Sequence, residues 1–265
     1  MLGAIIGDIA GSRFEFNNTK DYDFDMFGEG HDYTDDTICS IAVADAVLNN
    51  KDYQEAMREW CRKYPNPMGA YGSYFLNWIF SSDPHPYNSY GNGSAMRVSP
   101  ISWLFDSEEI IRKEAKASAA ITHNHPEGIK GAVAIAIAIF RMRKAENKSK
   151  DIFVNVAKEF YGENPFESLP EKGYFDVTCQ GCVPLSLYIT SIAENFEDAI
   201  RKAISYGGDT DTVGAIVGSL AEAHFGLPAD MVKQAKAFLP DDMLRILSQF
   251  EKQKSLHNTP PDALP

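Results

Sequence analysis

Ala132-Val133-Ala134-Ile135-Ala136-Ile137-Ala138-Ile139 is the stretch on which the fold class turns, because its alternation of small and large apolar residues has the period of a β-strand. Its surroundings decide for a helix. The apolar run begins after Pro126-Glu127-Gly128 and reaches Phe140, longer than the roughly 4–8 residues of a buried strand. It closes with Arg141, Arg143 and Lys144, cations that suit a helix C-terminus. The expectation is a central buried helix whose alanines let neighbouring helices approach closely all round.

Outward from that stretch, apolar residues recur at helical spacing. They do so at Ala56, Met57, Trp60 and Cys61, at Ile110, Ile111, Ala115 and Ala119, at Phe196, Ala199, Ile200, Ala203 and Ile204, and at Met243, Leu244, Ile246, Leu247 and Phe250. The class predicted is all-α. Loops are marked by Pro65-Asn66-Pro67, by Ser81-Ser82-Asp83-Pro84-His85-Pro86 and by Glu163-Asn164-Pro165. No repeat and no internal Pro/Gly/Ser-rich linker interrupts the 265 residues, which are 44% hydrophobic and read as one domain over residues 1–251. A poorly ordered tail is expected over residues 252–265, which contain Pro260-Pro261 and Pro265.

The net charge of -12 argues against a nucleic-acid partner, which would require concentrated Lys and Arg. Met1-Leu2-Gly3-Ala4-Ile5-Ile6-Gly7-Asp8 lacks a basic flank and breaks its apolar run at Asp8, unlike a signal peptide or a membrane span. A cytosolic monomer without membrane contacts is therefore expected, with Cys39, Cys61, Cys179 and Cys182 reduced. Cys179-Gln180-Gly181-Cys182 has the spacing of a redox or zinc half-site. No second pair and no thioredoxin-like pattern accompanies it, so it reads as structural.

Two oxygen-rich segments, Thr34-Asp35-Asp36-Thr37 and Asp209-Thr210-Asp211-Thr212, each run directly into an apolar helical pattern. Thr and Asp are good N-caps, and negative charge at a helix start is stabilised by about 0.3–1 kcal/mol. Capping needs only one oxygen, whereas each segment offers several, with aspartates close enough to repel one another. A divalent cation between the segments would resolve the repulsion, and carboxylate and hydroxyl donors favour Mg²⁺, Mn²⁺ or Ca²⁺ over zinc. Gly207-Gly208 would allow the chain a tight approach just before Asp209. A further acidic run, Asp21, Asp23, Asp25, Glu29, Asp32, Asp35 and Asp36, reads either as a solvated loop or as a rim that attracts cations.

Three other places have chemical potential. Glu15 lies between Phe14 and Phe16, and is either paired with a cation such as Arg13 or a perturbed functional carboxylate. Asn88-Ser89-Tyr90-Gly91-Asn92-Gly93-Ser94-Ala95-Met96-Arg97 has the small residues of an anion-cradling loop, and equally those of a plain turn before a helix. Thr122-His123-Asn124-His125-Pro126 lacks the carboxylate neighbours of a zinc site; a hydrogen bond from His123 to a ligand phosphate is the preferred role.

In that order, Gly7-Asp8 with Gly11 and Glu15, Tyr33-Thr34-Asp35-Asp36-Thr37, Gly91 to Arg97, Thr122-His123 and Gly207 to Thr212 together resemble the ADP-ribosylglycohydrolase family over residues 3–226. The resemblance implies a compact orthogonal helical bundle with two Mg²⁺ ions, or Mn²⁺, at the base of an ADP-ribose cleft. Thr34, Asp35, Asp36, Asp209, Asp211 and Thr212 match the family's metal ligands. Glu15 matches a glutamate assigned to catalysis or gating, and Asp36 is the other candidate base. Ser89, Tyr90, Gly91, Asn92, Gly93 and His123 match positions that hold the diphosphate and distal ribose, and Tyr87 is a candidate for stacking on adenine. The short spacing between Glu15 and Thr34 implies a reduced lid.

The expected activity is metal-dependent hydrolysis of the bond between ribose C1″ and an acceptor on a protein or small molecule, releasing ADP-ribose. Arginine is the preferred acceptor, and serine or small-molecule O-linkages are the alternative. A non-catalytic, crystallin-like ADP-ribose binder and a two-metal phosphoesterase are the rival classes; the first is opposed by the presence of Glu15 and all four metal-site aspartates.

Overall fold

The structure, a computed structural model, describes residues 1–258. Its helices in chain order are α1 (Leu2–Ser12), α2 (Asp35–Leu48), α3 (Tyr53–Lys63), α4 (Ser73–Phe80), α5 (Gly93–Met96), α6 (Ser99–Leu104), α7 (Glu108–Ala120), α8 (Pro126–Lys144), α9 (Asp151–Tyr161), α10 (Cys179–Ile192), α11 (Phe196–Tyr206), α12 (Thr210–Phe225), α13 (Ala229–Lys236) and α14 (Asp241–Asn258). Among the described residues, extended pairing is limited to two isolated bridges, Thr34 with Met68 and Gly91 with Thr178. The protein is all-α, as its sequence predicts.

The alternating stretch lies in α8. Pro126 starts that helix, the His125 side chain accepts from the Glu127 N–H, and Arg141, Arg143 and Lys144 occupy its last turn. Every residue from 131 to 139 is buried, because α5, α6, α7, α9, α10 and α12 all pack on it. With neighbours on every side, no solvent-facing stripe is needed, and a two-residue alternation no longer reports a strand.

The closest helix pair is α1 with α12, which cross antiparallel through glycines. A Cβ on Gly3 would lie 2.3 Å from the Gly218 carbonyl oxygen, one on Gly7 1.9 Å from that of Gly214, and one on Gly11 2.2 Å from that of Thr210. No side chain fits at these three positions. The Thr210 hydroxyl adds a bond to the Gly11 carbonyl (2.9 Å). This crossing sets the C-terminal end of α1 beside the N-terminal end of α12, where the second acidic segment starts.

Cys179 and Cys182 are free, buried and structural: their thiols meet the carbonyls of Gly91 and Asp176, each at 3.0 Å. Burial pushes the Cys179 thiol up to about 12, far from a reactive thiolate. The expected disordered tail is corrected in part. From Lys252 the chain continues as α14 to Asn258, and Lys254 pairs with the buried Glu222 (2.6 Å), which fixes that turn; the rest of the expected tail lies outside the described residues. No helix among the described residues is long and apolar enough to cross a membrane.

Candidate active site

Asp8, on the buried face of α1, anchors the start of α2. It accepts from the Thr34 N–H (3.0 Å), the Thr34 hydroxyl (2.7 Å) and the Thr37 N–H (3.1 Å). Thr34 is the N-cap of α2 and accepts from the Asp36 N–H, so in this segment the capping role is real. The second segment differs, because Asp209 stands at the N-cap of α12 without a side-chain capping bond. Its carboxylate accepts from the Asn92 side chain instead (2.7 Å).

Gly207 and Gly208, with φ of 80° and 91°, turn the chain into Asp209. The Asn18 side chain clamps this turn, donating to the Gly208 carbonyl (2.9 Å) and accepting from its N–H (2.7 Å). The Thr212 hydroxyl donates to Asp36 (3.1 Å), joining the two acidic segments directly.

The segments thus converge. Glu15, Asp209 and Asp211 each place an oxygen within 4.8 Å of the others. One buried oxygen on each of Glu15, Asp36 and Asp211 has no hydrogen-bond partner in the protein. Glu15 forms no ion pair with Arg13, which donates to the Glu29 carbonyl (3.3 Å). Burial, reinforced by neighbouring carboxylates, pushes Asp35 up to about 8 and Glu15 to about 7, and Asp36 and Asp211 well above the usual carboxylate range. Asp8 is raised by burial to about 6, with its hydroxyl and amide donors opposing the shift. Orphaned hard oxygens crowded at the base of a cleft fit a divalent cation of the Mg²⁺ or Mn²⁺ type.

The same crowding gives stability a pH dependence. A carboxyl whose folded pKa lies above its unfolded value binds its proton more tightly when folded, so stability falls as pH rises from about 4 to about 8. Calorimetry in chelator should therefore give a higher Tm at pH 5 than at pH 8. Millimolar Mg²⁺ should restore much of the difference at pH 8; an unchanged Tm in both comparisons would contradict the cluster's electrostatics.

The cluster forms the floor of a cleft of about 760 Å³. Asp35, Asp209, Asp211, Thr212 and Glu15 line it, as do Ser89, Tyr90, Gly91, Asn92, Gly93 and His123. Thr34 and Asp36 are buried and are not part of the lining. Of the acidic run, only Asp35 reaches the cleft, while Asp21, Asp23, Asp25, Glu29 and Asp32 are exposed elsewhere, which supports the solvated-loop reading.

The glycine loop is less open than an amide cradle would be. The Gly91 N–H bonds the Ser89 hydroxyl (3.1 Å), and the Asn92 N–H bonds the Val177 carbonyl (2.8 Å). His123 compensates as a donor. Arg97, fully buried, donates to the Thr122 hydroxyl (2.9 Å), which leaves that hydroxyl's proton for His123 Nδ1 at 2.7 Å. His123 Nε2 then carries the ring proton, on the side of Gly91 and Gly93. Burial and the Arg97 cation push the pKa of His123 well below its usual value, so it is a neutral donor. Tyr87 also lines the cleft, its ring stacked on Tyr74 at 6.1 Å.

Asp8 and Arg97 entered the sequence reading only as members of motifs, with no role assigned, and Asn18 did not enter it at all. The available signal was a lone Asp within an apolar helical run, and for Arg97 a cation just before a buried stretch.

The family model described as ADP-ribosylglycohydrolase matches residues 1–258. The chain is 24% identical to the human ADP-ribosylhydrolase ARH3, covering 86% of this chain and 84% of that protein. It is also 24% identical to the ADP-ribosyl-[dinitrogen reductase] glycohydrolase of Rhodospirillum rubrum, over 85% of this chain and 84% of that one. A solved structure titled ADP-ribosylglycohydrolase-related protein complex shares the fold, with a TM-score of 0.67 and 23% identity over 96% of this chain and 93% of its own.

Proposed function

The chain belongs to the ADP-ribosylglycohydrolase family, and from that premise we propose that it hydrolyses the C1″ bond between ADP-ribose and a modified arginine in a divalent-metal-dependent reaction. The observation that carries this reading is the convergence of Glu15, Asp209 and Asp211, with unpartnered oxygens on Glu15, Asp211 and the neighbouring Asp36, beneath a cleft large enough for a nucleotide sugar. Equal identity to the two kinds of relative leaves the acceptor to be argued from the cleft. An exposed aromatic face beside Glu15 favours a guanidinium over a serine hydroxyl.

Thr34, Asp35, Asp36, Asp209, Asp211 and Thr212 are the residues that would hold two Mg²⁺ or Mn²⁺ ions. Such ions would supply charge neutralisation and Lewis acidity at the ribose hydroxyls and at a water. His123 donates to the diphosphate from Nε2, and Asn92 holds Asp209 in place. As the C1″–N bond breaks with oxocarbenium character, the nitrogen leaves with the bonding pair and takes up the proton that Glu15 receives from the attacking water. The oxygen of water bonds to C1″ and gives one proton to Glu15. Glu15 is preferred over Asp36 because it lines the cleft, whereas Asp36 lies behind it with one oxygen held by Thr212.

The test is mass spectrometry of products from arginine-, serine- and acid-linked ADP-ribosyl peptides, with Mg²⁺ and with EDTA. Intact ADP-ribose is expected to be released fastest from the arginine conjugate, and only with Mg²⁺ present. Release solely from the serine conjugate would overturn the acceptor assignment. In single-turnover assays, Glu15→Gln should abolish cleavage with ADP-ribose binding retained, while Asp36→Asn should first weaken metal binding. The reverse pattern would exchange their roles.

A further inference from the structure

Two phenyl rings stand in solvent at the mouth of the cleft: Phe16 is 75% exposed and Phe175 42% exposed. They are stacked, with centroids 5.9 Å apart and planes 21° apart, and both line the cleft. They come from loops distant in sequence, and burial does not explain a solvent-facing aromatic surface assembled in this way.

We propose that the Phe16–Phe175 pair is the acceptor subsite, the surface against which the arginine side chain leaving C1″ is held; this rests on the reading above that ADP-ribose occupies the cleft. The pair is fixed at the acidic end. Asn18 donates to the carbonyls of Phe14 (2.7 Å) and Glu15 (3.1 Å) as well as to that of Gly208, so the loop bearing Phe16 is tied to the residue before Asp209. The loop bearing Phe175 is held at the same place, because the Tyr174 carbonyl oxygen would lie 2.6 Å from a Cβ on Gly208.

From Phe175 the chain runs to Val177 and Thr178, which pair with Asn92 and Gly91 of the glycine loop. A ligand with its diphosphate at that loop and its distal ribose over the carboxylates would direct its C1″ substituent past Glu15 towards Phe16. A guanidinium is planar, weakly hydrated and stacks on aromatic faces, and the Glu15 carboxyl beside the pair favours a cation there. A seryl acceptor has no flat cationic group to stack, so the pair would discriminate between linkages as well as bind.

The experiment compares wild type with Phe16→Ala, Phe16→Leu and Phe175→Ala. It measures kcat/KM on ADP-ribosyl-arginine and ADP-ribosyl-serine peptides, and the Kd of free ADP-ribose by calorimetry with Mg²⁺. Each variant is expected to lose about 10-fold in kcat/KM on the arginine conjugate, in keeping with a cation held on an aromatic face. The Kd for ADP-ribose should stay within about 2-fold of wild type, since the pair does not touch the nucleotide, and an unshifted Tm will show the fold intact. Phe16→Leu, which keeps apolar bulk without the π face, should behave like Phe16→Ala.

A parallel rise in the Kd for ADP-ribose would make the pair a nucleobase platform and overturn the inference. Equal loss on arginine and serine conjugates, or no loss on either, would also overturn it. Wild-type protein that leaves arginine conjugates intact would instead overturn the substrate reading, a failure separable from these by the wild-type lane alone.

Discussion

Asp211→Asn is expected to lower release of ADP-ribose by at least about 10²-fold while raising the Tm of the metal-free protein. Loss of one closely placed charge-stabilising group removes about 3–4 kcal/mol of transition-state stabilisation, and a carboxylate in the proposed metal-holding role should matter at least as much. The stability effect has the opposite sign because Asp211 is buried among Asp209, Asp36 and Glu15, and one of its oxygens has no partner. An amide of the same shape removes one of these mutually repelling charges. Because the folded pKa is raised, the relief should be larger at pH 8 than at pH 5. Turnover in Mg²⁺ and calorimetry in chelator test both halves, and a variant that lost activity and stability together would make Asp211 a structural residue.

Gly7→Ala is expected to be the most disruptive single-methyl change in the protein. The added Cβ would lie 1.9 Å from the Gly214 carbonyl oxygen and 2.3 Å from its carbon, both backbone atoms that cannot rotate away. Overpacking of this kind costs about 1–3 kcal/mol or more. At about 2–4 °C per kcal/mol for a chain of this size, Tm should fall by roughly 5–10 °C. Activity should fall further than stability alone requires, because displacing α1 moves Asp8 away from Thr34 and Thr37 and so disturbs the start of α2. Gly72→Ala is the control, since its ideal Cβ meets nothing within 4 Å; a Tm change as large as that of Gly7→Ala would refute the packing argument.

The helical class was legible because periodicity reports burial on one side, and it remained so at α8 only through length and flanking charge. There the pattern itself was misleading, since a helix surrounded on all sides needs no apolar stripe. The convergence of Thr34-Asp35-Asp36-Thr37 with Asp209-Thr210-Asp211-Thr212 could be read from an excess of oxygens over what capping uses. The structure splits that argument: Thr34 does cap its helix, while Asp209 does not.

Asp8 was read as a break in an apolar run and as part of a family motif, but with no role, because a sequence does not say where a helical carboxylate points. Its partners became visible only once α1 and α2 were placed together. The glycines of α1 were legible as punctuation, whereas Gly214 and Gly218 of α12 carried no reading. Their mutual interlock was hidden, because close contact between two remote helices leaves no local trace. Of the two readings of the glycine loop, the open amide cradle is limited at Gly91 and Asn92 by partners at Ser89 and Val177, one of them distant in the chain.

The α1–α12 crossing also bears on biogenesis. Gly11 and the Thr210 hydroxyl that bonds it are 199 residues apart. At roughly 5–20 residues per second, about 10–40 s of translation separate the two helices. Throughout that interval α1, buried along its whole length in the finished protein, lacks the partner that shelters it. The nascent chain therefore exposes an apolar helix until α12 has been made, and catalytic competence should arise only after that point.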